Sequence, residues 1–167
     1  MNKLSKFIYL LILPFFISCA TQMNTRTPAE IKMMTTKQFD ASPDMVFKSI
    51  ISLLQSEGYI VDRADKETGL LNASKRIENK NAASQRFWTG SSKDANTSKA
   101  MFYVEEVNDS VTEVKISMYE GSESTSTGYW GQNNKNVKEQ MVYEPQIYGE
   151  WFNSLRAEIE RRGALGR

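Results

Sequence analysis

No histidine occurs anywhere in the 167 residues, and there is a single cysteine. The first absence removes the Ser-His and Cys-His pairs of nucleophilic catalysis, histidine-ligated zinc and the most common general base. The second removes any intramolecular disulfide, so stability must come from a packed core. Phosphate-binding glycine patterns are missing too, since the glycines of TSTGYWGQ follow neither GxGxxG nor the P-loop spacing. Charge of one predominant sign is also lacking: 21 Lys and Arg oppose 20 Asp and Glu. That overall balance makes no case for nucleic acid or for anionic lipid head groups.

The carboxylates that remain do not form a recognisable site. Asp62, Asp65 and Glu67 in DRADKETG lack the D-x-[DN]-x-[DN]-G spacing of a calcium loop and read as a solvated hairpin turn. Glu105 and Glu106 are adjacent on a strand and point to opposite faces. Only a carboxylate pair drawn from distant segments is left open by this reading. No catalytic residue, metal ligand or cofactor is assigned, and the chain is read as non-enzymatic.

The lone Cys19 stands between an apolar run, FIYLLILPFFI (Phe7 to Ile17), and a polar stretch, ATQMNTRTPAE. Lys3 and Lys6 precede the run. The run has the length of a signal-peptide core, about 7–15 residues. It is too short for the roughly 20 residues of a membrane-spanning helix, and Pro14 interrupts it. Phe16-Ile17-Ser18-Cys19 resembles the lipobox of bacterial lipoproteins. The resemblance implies cleavage before Cys19, with diacylglycerol on its sulfur and an acyl chain on its amine. A single acyl chain binds a bilayer only marginally, whereas two or three hold it durably. Ala20 stands where such lipoproteins of enteric bacteria carry an aspartate for inner-membrane retention. By that resemblance the address is the periplasmic side of the outer membrane, or the plasma membrane of a cell without one. Residues 1–18 are then a signal peptide, 19–30 the acylated cysteine and a flexible tether, and 31–167 one domain. Lys3 and Lys6 leave with the leader, so nineteen basic residues face twenty acidic ones in the 149 that remain. A chain of that length buries about two thirds of its surface.

Within the domain, IKMMTTKQF is a weak candidate strand. Ser42-Pro43-Asp44 opens a helix with a capping serine, a proline at the first position and an acid in the first turn. Phe47, Ile50, Ile51 and Leu54 follow at helical spacing, and Gly58 closes it. Tyr59-Ile60-Val61 starts a strand, DKETG turns, and Leu70 to Ile77 returns. Met101 to Val107 and Thr112 to Met118 alternate as a second hairpin. The intervening Glu78–Ser98 and the later Gly121–Asn136 read as polar loops. Tyr148, Trp151, Phe152, Leu155 and Ile159 form the apolar stripe of a final helix, ended by Arg161-Arg162-Gly163. The expected fold is α+β: one antiparallel sheet with two helices packed on one face, in the order β-α-β-β-β-β-α. This order, from FDASPDMVFKSIISLLQSEGYIVDRADKETGLLNAS to the aromatic-striped helix, resembles the helix-grip domains of BamC-type outer-membrane lipoproteins. The resemblance implies an accessory role in envelope assembly; a fold likeness does not by itself establish a function.

Two aromatic pairs, Phe87-Trp88 and Tyr129-Trp130, lie where no amphipathic period demands them. With Arg86, they are candidate partner-binding residues, because large aromatics and arginine dominate binding hot spots. Packing against a sheet edge or core rim is the plainer alternative, and seating at a membrane interface an intermediate one. The expected function is a membrane-anchored interaction or assembly accessory with an envelope protein partner. The alternative is a carrier of a small apolar ligand or lipid, with Tyr148, Trp151, Phe152 and Leu155 lining a cavity between sheet and helix. The oligomeric state is not legible in the sequence.

Overall fold

Thr27 and Glu30 form a reciprocal capping box: the Thr27 Oγ1 accepts from the Glu30 N–H, and the Thr27 N–H donates to Glu30 Oε2 at 2.7 Å. This box starts a short helix, α1 (Pro28–Thr35), that leads directly into strand β1 (Thr36–Phe39). The expected strand over IKMMTTKQF is therefore helical in its first half. The capping signal at Thr27-Pro28-Glu30 outweighs the weak apolar run behind it. The computed structural model describes residues 26–165. The signal peptide, Cys19 and the tether as far as residue 25 lie outside the described residues.

Helix α2 (Pro43–Ser56) forms as its sequence signals suggest, with the Ser42 hydroxyl accepting from the Met45 N–H at 3.5 Å. Its Val46, Ile50 and Leu54 are fully buried. Gly58, at φ +77°, reverses the chain into β2 (Ile60–Asp65). The turn from β2 to β3 (Leu70–Glu78) is the expected hairpin. Asp65 Oδ1 accepts from the Glu67 and Thr68 N–H groups, each at 3.2 Å. Gly69, at φ +70°, leaves no room for a Cβ against the Val104 carbonyl.

A third helix, α3 (Ala82–Thr89), separates β3 from the two longest strands, β4 (Ser91–Asn108) and β5 (Val111–Thr127). A last strand, β6 (Asn133–Met141), and a long helix, α4 (Pro145–Leu165), complete the domain. The sheet is antiparallel, in the order β1-β5-β4-β3-β2, and β6 continues the β1 edge along β5. β1 pairs with Thr112–Lys115 of β5, and β6 with Tyr119–Thr127.

The fold is thus the expected α+β class, with one sheet and helices on it, and α2 and α4 cover one face. Even-numbered residues of β5 point to that face: Thr112, Val114, Ile116 and Met118 are buried there, opposite Ala100, Phe102 and Val104 of β4. Tyr148 anchors α4 to the sheet, donating its hydroxyl hydrogen to the Val142 carbonyl at 2.8 Å and accepting from the Met118 N–H at 3.4 Å.

The two expected loops are not loops. Glu78–Ser98 contains α3 and the first part of β4, and Gly121–Asn136 contains the end of β5, a tight turn and the start of β6. Here the β4–β5 ladder runs past α2 and α4, and neither face carries the apolar alternation that marks a half-buried strand. Backbone pairing with both neighbours holds these polar residues extended. Helix α4 also runs through Gly163 to Leu165 instead of stopping there. A lone glycine costs a helix about 1 kcal/mol, too little to end one that is already packed.

Candidate functional site: the far end of the sheet

The polar part of the sheet ends in two aromatic projections. Helix α3 is fixed to the sheet by Arg86. The Arg86 guanidinium donates to Ser92 Oγ at 3.0 and 3.2 Å and to Asp94 Oδ1 at 2.7 Å. Ser92 Oγ donates to the same Asp94 oxygen at 2.6 Å, and Thr125 Oγ1 donates to the other. Those hydroxyls, and then Arg86, hold the Asp94 carboxyl at a pKa of about 2. Asn79 adds a donor to the Lys93 carbonyl at 2.8 Å. Thr125 is odd-numbered on β5, so α3 lies on the sheet face opposite α2 and α4. Arg86 is therefore the fastener of α3, and its guanidinium is already engaged within the chain.

With Arg86 turned to the sheet, the next two residues are carried outward around the helix, about 100° per residue. Phe87 is 80% and Trp88 79% exposed, with ring centroids 5.2 Å apart and edge-on. Gly90 ends the helix at φ +72°, donating to the Arg86 carbonyl at 2.9 Å. The second projection is the turn between β5 and β6. Gly131 N–H donates to the Gly128 carbonyl at 2.9 Å, and Gly128 N–H to the Gln132 carbonyl at 2.7 Å. Tyr129 and Trp130 occupy the two central positions of that turn and are essentially fully exposed. Their centroids lie 6.4 Å apart at an interplanar angle of 71°.

One backbone bond joins the two projections: Thr127 N–H donates to the Gly90 carbonyl at 2.7 Å. Phe87-Trp88 and Tyr129-Trp130 thus flank the same end of the sheet. Neither pair folds back over an edge or the core rim. Their convergence was hidden in the sequence because α3 and β6 were; the Gly90 and Gly131 that close each projection, and the Ser-Thr alternation of SESTST leading to the turn, were the available signals.

Beside this end lies a cleft of about 530 Å³, lined by Arg76, Arg86, Asp94, Glu123 and Lys135 among others. Its charges are largely spent internally. Arg76 pairs with Glu123 at 2.9 Å and with Glu78, and it draws the Glu123 carboxyl below its usual range.

The proposed ligand-lining face of α4 is core. Tyr148, Phe152 and Leu155 are buried, and half-buried Trp151 packs edge-on to Tyr59 at 5.7 Å and against Phe102 at 5.8 Å. The space beside Trp151 is only about 130 Å³, below the roughly 300 Å³ at which small-molecule pockets begin. Cys19 lies outside the described residues. Among the described residues no helix is long and apolar enough to cross a membrane.

No protein-family model matches the chain, and no curated protein matches its sequence. Among solved structures, it aligns with the adenylate sensor from AMP-activated protein kinase in complex with 5-aminoimidazole-4-carboxamide ribofuranotide. The alignment covers 74% of this chain and 93% of that one, at 9% identity and a TM-score of 0.37. A likeness at that level carries no argument about this chain's fold or ligand.

Proposed function

We propose that this chain is a non-enzymatic accessory of the bacterial cell envelope, held by an acylated Cys19 at the periplasmic side of the outer membrane. Its folded domain presents the far end of the sheet as a contact surface. The observation that carries this reading is the exposure of Phe87, Trp88, Tyr129 and Trp130 at one end of the sheet. Large aromatics left in water on a well-packed domain mark interaction sites more often than scattered apolar residues do. The lipobox-like Phe16-Ile17-Ser18-Cys19 supports the anchor, and the polar residues behind it support a domain standing off the bilayer.

Two measurements test the reading. Growing cells on a radiolabelled fatty acid should label the full chain and leave the C19S variant unlabelled. A photo-crosslinking residue at Trp88, irradiated in intact cells, should capture a discrete adduct well above the same residue placed at exposed Glu106. Equal yields at the two positions would remove this end of the sheet as the contact surface.

A further inference from the structure

We infer that the aromatic end of the sheet seats on an anionic bilayer, giving the protein a second membrane contact besides its lipid anchor. The inference rests on the preceding reading that this end is the contact surface, and it names what is contacted. Three observations carry it.

The first is charge. The near-neutral chain is locally segregated: residues 79–93 and 124–138, which build both projections, contain no Asp or Glu. They contain Lys80, Arg86, Lys93, Lys135 and Lys138. The four lysines are exposed, and none pairs with a carboxylate among the described residues. Four acids border these stretches: Glu78 and Glu123 are held by Arg76, Asp94 by Arg86 and Glu139 by Lys99. Exposed lysines outside close ion pairs are drawn to anionic lipid over about a Debye length.

The second is the kind of side chain. Tryptophan and tyrosine partition to the head-group boundary, where the ring is buried and the N–H or O–H stays wet. Two tryptophans, a tyrosine and a phenylalanine occur here together, with lysines behind them whose stems can reach back to the head groups.

The third is shape. Each pair stands on a convex element, a short helix or a four-residue turn, with its rings packed mainly on each other. A rigid protein partner would need matching pockets for two separate projections, whereas a fluid bilayer closes around them unaided. An anchor on the same chain raises the local concentration of bilayer, so weak insertion suffices.

The full chain, purified from membranes, is reconstituted into vesicles of phosphatidylcholine alone or mixed with phosphatidylglycerol, with bromine on the acyl chains. Brominated lipid quenches an indole it touches. The difference between wild type and W88F/W130F isolates the two tryptophans from half-buried Trp151. The expected result is quenching of that difference signal in the phosphatidylglycerol vesicles, at least twofold weaker in phosphatidylcholine and weakened likewise by K93E/K135E. An unquenched signal on protein that floats with the vesicles overturns the inference, as does equal quenching on both compositions. The Trp88 crosslink separates the two claims. A protein adduct sinks this inference and leaves the proposed contact surface standing, whereas no adduct above the Glu106 control sinks both.

Discussion

The N–H of Thr127 donates to the Gly90 carbonyl at 2.7 Å, tying the residue after one helix to the residue before a turn nearly forty positions later. Through that bond two aromatic pairs that are distant in sequence share one end of the sheet. The far end is held together by polar contacts, the near end by the apolar core between the sheet and helices α2 and α4. The two ends should respond differently to mutation and to pH.

Arg86→Ala should release α3 without unfolding the domain. Arg86 makes the contacts to Ser92 and Asp94 that hold the helix, and no buried apolar residue of α3 backs them up. Hydrogen exchange should show lost protection confined to 82–89 and the start of β4. The urea midpoint should hardly move. A global drop in the midpoint would mean that the far end folds as one unit with the core.

Acid should loosen the same attachment. The folded Asp94 carboxyl, at about 2, lies below its ordinary 3.8. A depressed pKa adds stability that is fully present above the unfolded value and lost as pH falls through the folded one. The window is therefore about pH 4 down to 2. Asp44, held by Lys48 and Lys66, and Glu158, held chiefly by Arg161, titrate in the same window. Local exchange of α3 amides, compared with D94N, isolates the Asp94 contribution. D94N should already show fast α3 exchange at pH 7 and little further change on acidification.

What was legible beforehand follows the same division. Helix α2, the β2–β3 hairpin and the α4 stripe were all readable, because Ser42-Pro43, Gly58, Gly69 and the Tyr148-to-Ile159 spacing act locally. The polar ends of β4 and β5, with β6, were not. SKDANTSK and SESTST carry no apolar alternation to signal a period of two, since Ala95 is the one apolar residue buried there beside the polar Ser92 and Thr125, and pairing partners far along the chain make them strands. The aromatic residues were legible as anomalies but their convergence was not. Arg86 adjoins the first pair in sequence, but helix geometry turns it the other way, onto Ser92 and Asp94.

Gly69→Ala and Gly131→Ala separate strain from collision. Both glycines have positive φ, +70° and +75°. A side chain in that region costs about 1–2 kcal/mol. At Gly131 nothing lies near the added methyl, so that strain is the whole effect. At Gly69 the methyl would also run into the Val104 carbonyl, which accepts no compromise because Val104 N–H is bonded to the Gly69 carbonyl at 2.9 Å. Urea unfolding should show Gly69→Ala as the more destabilised of the two; equal losses would contradict the hairpin geometry.

Tyr148→Phe against Trp88→Ala and Trp130→Ala tests which aromatics are structural. Tyr148 is fully buried, and removing its hydroxyl takes from the Val142 carbonyl its side-chain donor and from the Met118 N–H its acceptor. Leaving buried polar groups unpaired costs about 1–3 kcal/mol. Trp88 and Trp130 are 79% and 87% exposed, so truncating them removes little packing. Substitutions at such surface positions stay within about 0.5 kcal/mol. Equilibrium urea denaturation should therefore show a clear loss for Y148F and none beyond error for W88A or W130A. If either tryptophan variant lost as much as Y148F, its ring would be packing in solution, and the far end of the sheet could not be offering it to a partner.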